Sequence, residues 1–171
     1  MELEDVFSLR QSVRAYADSP VSEEDVRALL AAADAAPVGR HLYEAYDIAV
    51  IQDKALLKGI ADDFKAAAGR PDPLYGAPLL FLIFRNEKAV DDLVKLDAGI
   101  IAENIHLKAA ELGLGSVIIY NIIRTLGTKG NYVKRLGLPE TYEPLLSVAV
   151  GHGSHAVRPR KREAHFKVYR F

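Results

Sequence analysis

The stretch "DAGIIAENIHLKAAELGLGSVIIY", residues 97–120, carries the strongest structural signal in the chain. It belongs to a longer periodic segment, Asp91 to Leu112. Val94, Ala98, Ile101, Ala102, Ile105, Ala109 and Leu112 recur at helical spacing and form one apolar stripe. Leu96, Ile100 and Leu107 form a second stripe on roughly the opposite side. A helix with two apolar stripes is covered on two sides. It is therefore either the central helix of its domain or one that also meets a partner chain. His106, on this helix, is expected at the surface or in an interface. Gly113 reads as the residue just past the helix end, and "GSVIIY" as a β-branched strand. Gly113 and Gly115 do not make a dinucleotide fingerprint. That motif needs strand, glycine turn and helix, whereas the order here is reversed and the third glycine is missing. Gly115 and Ser116 are expected to offer backbone N–H groups to a flat ligand.

Working outward, "APLLFLIFR" at 77–85 is a continuous apolar run of strand length, expected to be buried on both faces. "YDIAVIQD" at 46–53 alternates like a strand. Glu2 to Leu9 reads as a short helix. Ser22 is a candidate N-cap, followed by Glu23, Glu24 and Asp25 in a favourable first turn. Val26, Leu29, Leu30 and Ala33 give that helix its apolar face, and Pro37 stops it. Lys54 to Ala68 is helical until "GRPDP" breaks it. Short helical pieces run on to Leu136, and "EPLLSVAVGHG" at 143–153 is the last strand. Helices and strands are interspersed, so the class is α/β or α+β, with a sheet covered by helices.

The chain has 171 residues, half of them hydrophobic, and a formal net charge of −1. This predicts a single domain over residues 1–171, large enough to bury roughly 70% of its unfolded surface. With no cysteine there is no disulfide scaffold, thiolate metal site or cysteine nucleophile. The acidic, amphipathic N-terminus resembles neither a signal nor a transit peptide. No apolar run approaches the ~20 residues of a membrane span. A cytoplasmic protein without a membrane partner is expected. The neutral balance supplies no global field for nucleic acid.

Two basic groups stand out. "SLRQSVRAY" places Arg10 and Arg14 around Ser12. Guanidinium forks match phosphate oxygens, so this trio suits a dianion; the competing reading is a solvated helix face. In "RPRKR", Pro159 stiffens the chain, and Arg160 and Arg162 point the same way if it is extended. They could surround one phosphate together with Arg10 and Arg14, from opposite ends of the sequence; otherwise the segment is a solvated tail or a weak nucleic-acid patch. His152 and His155 in "GHGSH" lack further ligands at metal-site spacing and read as a turn. No metal site, P-loop or nucleophile elbow is expected.

Taken in order, these elements resemble the flavin-dependent nitroreductase family. "RQSVRAY" resembles its N-terminal flavin-phosphate motif, and "AAPVGRHLY" stands where the family has an Ala-Pro-Ser-x-x-Asn element. "LYGAP", "DAGIIAENIHLKAAELGLGSVII", "GLPETYEPLLSVAVGHG" and "PRKR" follow in family order. The resemblance implies an α+β fold with a mostly antiparallel sheet, a long central helix and a homodimer of domain-swapped type. It further implies FMN at the subunit interface. Arg10, Gln11, Ser12 and Arg14 would hold FMN, with Arg160 and Arg162 adding to its phosphate or ribose. Pro37, Val38, Gly39 and His41 would reach the partner's flavin, and Gly115 and Ser116 would lie near its reactive edge. Tyr75 and Phe64 are candidate lining residues, with ordinary packing as the alternative. No side chain is expected to be the chemical catalyst.

The implied activity is ping-pong electron transfer from NADH or NADPH, through flavin N5, to a nitro compound or quinone. The alternatives are a narrower reductive task, such as dehalogenation or dehydrogenation, or a non-catalytic flavin sensor or store. Two departures from the pattern bear on the substrate. "HLYEAY" replaces the usual Asn-x-Gln-Pro-Trp text, with His41 near the expected asparagine. The chain is also short enough to lack the helical insertion that covers the substrate in larger relatives.

Overall fold

Hydrophobic patterning produces four strands and six helices among the residues described by the computed structural model, which are 1–128, 131–161 and 163–171. The strands are β1 (Tyr46–Ile51), β2 (Leu79–Arg85), β3 (Gly115–Ile119) and β4 (Glu143–Gly151). The helices are α1 (Leu3–Leu9), α2 (Glu23–Asp34), α3 (Lys54–Ala68), α4 (Val94–Glu111), α5 (Asn121–Leu126) and α6 (Asn131–Lys134). The sheet order is β1-β2-β4-β3, and every neighbouring pair is antiparallel. This settles the class as α+β.

The central strand β2 decides where the core sits. Leu79, Phe81 and Ile83 point to one face of the sheet, where α2 and α4 supply Leu29, Ala33, Ile101 and Ile105. Leu80, Leu82 and Phe84 point to the other, against Ile60 of α3, Ile122 of α5 and Tyr132 of α6. A period of two thus serves two cores at once. An unbroken apolar run is more usual in parallel sheets. Here an antiparallel strand has one because helices cover both faces. The edge strand β1 is half-buried along most of its length rather than alternating, since it has a strand on one side only.

Ser22 caps α2 as expected, its hydroxyl accepting from the Asp25 N–H at 3.1 Å. Helix α4 starts at Val94, three residues later than the sequence suggests, and ends with the Leu114 N–H donating to the Ala109 carbonyl. Its first stripe is buried from Val94 to Ala109, but Leu112 is exposed and Leu114 packs in its place. On the second stripe Leu96 is 64% exposed and Ile100 38%. Leu107 is half-buried beside Met1, Leu3 and Val6 of the N-terminal segment.

Candidate functional site

Helix α1 ends where the Arg10 N–H donates to Val6, and the chain then runs extended along the open edge of β3. Ser12 bridges Ser116, and the Val13 N–H donates to the Ser116 carbonyl at 3.0 Å. Farther on, the Ala17 N–H donates to His152 at 2.8 Å and the Ser154 N–H to Ala15 at 3.0 Å. Gly115 permits this close approach: a Cβ there would meet the Val13 side chain at 2.9 Å. The tail returns to the same place. The Arg160 N–H donates to the Ser8 carbonyl at 2.9 Å, and the Gln11 amide donates to the Arg158 carbonyl at 2.9 Å. Both basic segments are therefore neighbours, although about 150 residues separate them. Arg162 lies outside the described residues.

Arg10 is held from behind. Its Nη1 lies 3.0 Å from His106 Nε2, and its Nε is 3.8 Å from a Glu103 carboxylate oxygen. His106 Nδ1 is 2.5 Å from Ser116 Oγ. A guanidinium can only donate, so Nε2 carries the lone pair. The ring is then neutral, and Nδ1–H donates to the serine. Burial, and secondarily the positive charge of Arg10, lower the His106 pKa from 6.5 to about 4. Glu103 is pushed upward by burial, partly offset by Arg10. His106, expected at the surface or in an interface, is in fact 2% exposed. It faces into the chain because Arg10 and Ser116 satisfy both ring nitrogens.

Gly115 and Ser116 are buried inside β3, between β4 and the N-terminal segment. They form a wall of the site rather than an open pair of donors. Arg14 is exposed. It sits close enough to Tyr16 to oppose the upward shift that burial imposes on that phenol. The Tyr16 hydroxyl donates to the Val13 carbonyl at 3.0 Å. Tyr75, on the "LYGAP" turn, also interacts with Tyr16 and is 38% exposed. Phe64 packs fully in the core, so it lines no site.

The segment Pro37–His41 is organised elsewhere. Pro37 and His41 are exposed, Val38 is buried, and Arg40 and His41 both take positive φ, 58° and 56°. Two consecutive non-glycine residues in that region are strained. Asp97, 4% exposed on α4, holds the turn: its Oδ1 accepts from the Gly39 N–H at 3.1 Å and its Oδ2 from the Tyr46 hydroxyl at 2.6 Å. Gly39 is also packed against Leu93, which a Cβ would meet at 2.6 Å. Sequence reasoning missed Asp97, Tyr46 and the role of His106. The available signal was a charged residue and an imidazole falling at the two margins of the apolar stripe of α4, on opposite sides of the residues it buries.

His152 and His155 are exposed, and no group of possible metal ligands occurs among the described residues. No helix among them is long and apolar enough to cross a membrane.

Residues 8–152 match the model described as Nitroreductase family. An FMN-dependent nitroreductase from Clostridium difficile R20291 is 28% identical, with 99% of each chain covered and a TM-score of 0.80. A nitroreductase with bound FMN from Bacteroides fragilis, 24% identical over the whole of both chains, has the same fold at a TM-score of 0.82. An NADPH-dependent oxidoreductase of Staphylococcus aureus is 27% identical over 87% of this chain, which spans 65% of that relative's length.

Proposed function

The chain belongs to the nitroreductase family, and from that premise we propose that it is an FMN-dependent NAD(P)H oxidoreductase. The observation that carries the reading is the meeting of the two basic segments, fixed by the Arg160–Ser8 and Gln11–Arg158 hydrogen bonds. The donor set fits a flavin mononucleotide. Arg10, Arg14 and Arg160 and the Ser12 hydroxyl are donors suited to a phosphate dianion, and Ser8 to Ala17 contains no carboxylate. Bound FMN would supply the redox chemistry, namely hydride acceptance from NADH or NADPH at N5 and ping-pong electron delivery to a nitro compound or quinone.

The protein's share is binding, orientation and charge. Arg10 and Arg160 neutralise the phosphate, while Gln11 ties the tail to the N-terminal segment. Arg14 favours negative charge on the reduced ring. Gly115 and Ser116 supply a buried wall beside Ser12. The same reading makes the protein a homodimer. Leu96 and Ile100 are uncovered on α4, and the tail exposes Phe166, Val168, Tyr169 and Phe171. Pro37, Val38, Gly39 and His41 then complete the partner's site.

The test is purification followed by anaerobic titration. A yellow protein that is bleached by NADH or NADPH and reoxidised by a quinone supports the proposal. A flavin-loaded protein that neither nicotinamide reduces would make it a sensor or store. Salt-sensitive DNA binding by a colourless protein would overturn the flavin reading altogether.

A further inference from the structure

We propose that His106 is the positioning residue of the phosphate site: as a neutral acceptor it aims the Arg10 guanidinium, and Ser116 fixes the tautomer that makes this possible. The inference rests on the reading of Arg10 as a phosphate ligand. Long arginine side chains lose considerable rotamer freedom when fixed, so a fork held ready from within the fold binds an anion more tightly than one that must be ordered by it. His106 has the geometry for that task. Both its nitrogens are engaged, at 3.0 Å by Arg10 and 2.5 Å by Ser116, and His106 and Ser116 are each only 2% exposed.

The arrangement has a directional consequence. A protonated His106 would present an N–H to Nη1, setting donor against donor and cation against cation. Imidazolium and Arg10 therefore cannot share this geometry, and acid should loosen the phosphate ligand. The lowered pKa of the buried ring agrees with this order. Among the described residues, the charge acting on the imidazole is Arg10, from the segment after α1, and Arg10 is in turn paired with Glu103, three residues before His106 on α4. Glu103 stands 3.8 Å from Arg10, and burial holds its carboxyl above the ordinary carboxylate value, partly offset by Arg10. The Ser116 hydroxyl, from β3, does not titrate. A test must therefore separate His106 from Glu103.

The experiment measures FMN affinity by flavin fluorescence between pH 4 and 8, using His106→Leu, His106→Gln, Glu103→Gln and Arg10→Ala beside the unaltered protein. Glutamine can accept with its carbonyl from Arg10 and donate with its amide to Ser116, so it copies the neutral ring without its titration. His106→Leu should weaken FMN roughly 10- to 100-fold, in line with loss of a charge-assisted hydrogen bond. His106→Gln should restore affinity to within about threefold, and should flatten the acid fall in affinity. Protonation of free FMN is common to every assay, and Glu103→Gln removes the neighbouring carboxylate, so a fall flattened in His106→Gln and kept in Glu103→Gln belongs to the imidazole. Equal affinity for His106→Leu and the unaltered protein overturns the proposal. So does an acid fall that survives in His106→Gln and vanishes in Glu103→Gln. If Arg10→Ala itself binds FMN normally, the phosphate assignment falls and the inference with it. If Arg10→Ala loses FMN and His106→Leu does not, only the inference falls.

Discussion

The two segments assigned to the flavin are built in opposite ways. The Arg10 region is stitched to the sheet edge and the tail by backbone hydrogen bonds, and its guanidinium leans on His106. The Pro37–His41 turn is strained, exposes Pro37, Arg40 and His41, and depends on one carboxylate, Asp97. Both supports come from α4. His106 and Asp97 are nine residues apart on it, about 14 Å along the axis. On the proposed reading, the phosphate end and the loop end of one flavin site come from two copies of the chain that meet across α4. The exposed Leu96 and Ile100 lie on that helix.

The largest effect should follow from closing that exchange. Ile100→Asp places a charge on the uncovered stripe, between the two supports. Burying an unpaired carboxylate in an interface is costly enough to abolish assembly. We expect a monomeric or insoluble protein without flavin, read by sedimentation together with the absorbance of bound FMN. A soluble, flavin-loaded monomer, from this variant or from the unaltered chain, would break the comparison at its root.

A mixing experiment sharpens it. Arg10→Ala damages the phosphate end of a site, and Asp97→Ala releases the loop end. If each site takes one end from each chain, a mixed dimer holds one intact site and one doubly damaged site. Random reassortment of equal amounts should then recover roughly a quarter of the sites. Flavin stoichiometry measured before and after mixing checks this. No recovery would mean that both ends of a site come from one chain.

The two regions should also fail at opposite extremes of pH. His106 titrates near 6.5 when unfolded and at about 4 in place. Between those values the unfolded chain holds the proton and the folded chain does not. Stability is therefore complete above pH 6.5 and lost as pH falls through 4, by up to about 3 kcal/mol. Tyr46 behaves in the reverse sense. Burial, and then its hydrogen bond to Asp97, raise its pKa above the usual 10, so its contribution is lost as pH rises past that value. Denaturation followed at a series of pH values, in the unaltered chain and in His106→Gln, should show the acid loss only in the former. An identical acid loss in both would remove His106 as its cause.

Much of this frame is legible in the sequence. Leu79–Arg85 is a strand because seven successive apolar or stem-rich side chains serve two faces, and Ser22 announces α2 through its own hydroxyl. The approach of Arg10 to Arg160 was readable only as a suspicion. It depends on backbone bonds between Ser8 and Arg160, and backbone groups leave no mark in composition or periodicity. Asp97 and His106 were hidden for another reason. Stripe analysis treats a polar residue within an apolar helix as a solvent-facing position. A buried hydrogen-bond partner reverses that, and the partners, Gly39, Tyr46, Arg10 and Ser116, are supplied by other elements.

The smallest effect is expected from Tyr46→Phe, and it is the finest test of how the loop is held. The change removes the hydroxyl that donates to Asp97 Oδ2 at 2.6 Å but keeps the ring. Oδ1 still accepts from the Gly39 N–H, so the turn loses one of its two ties through the carboxylate. A single hydrogen bond of this kind is worth about 1–2 kcal/mol, which for a chain of this length lowers the melting temperature by a few degrees. FMN affinity should hardly move, since the Gly39 N–H bond to Oδ1 still holds the loop and the phosphate ligand lies at the His106 end of α4. A variant that melts a few degrees early but keeps its flavin would support two separately anchored regions. Flavin loss as deep as that of Arg10→Ala would instead mean that the loop and the arginine act as one unit, and the division between them would have to be abandoned.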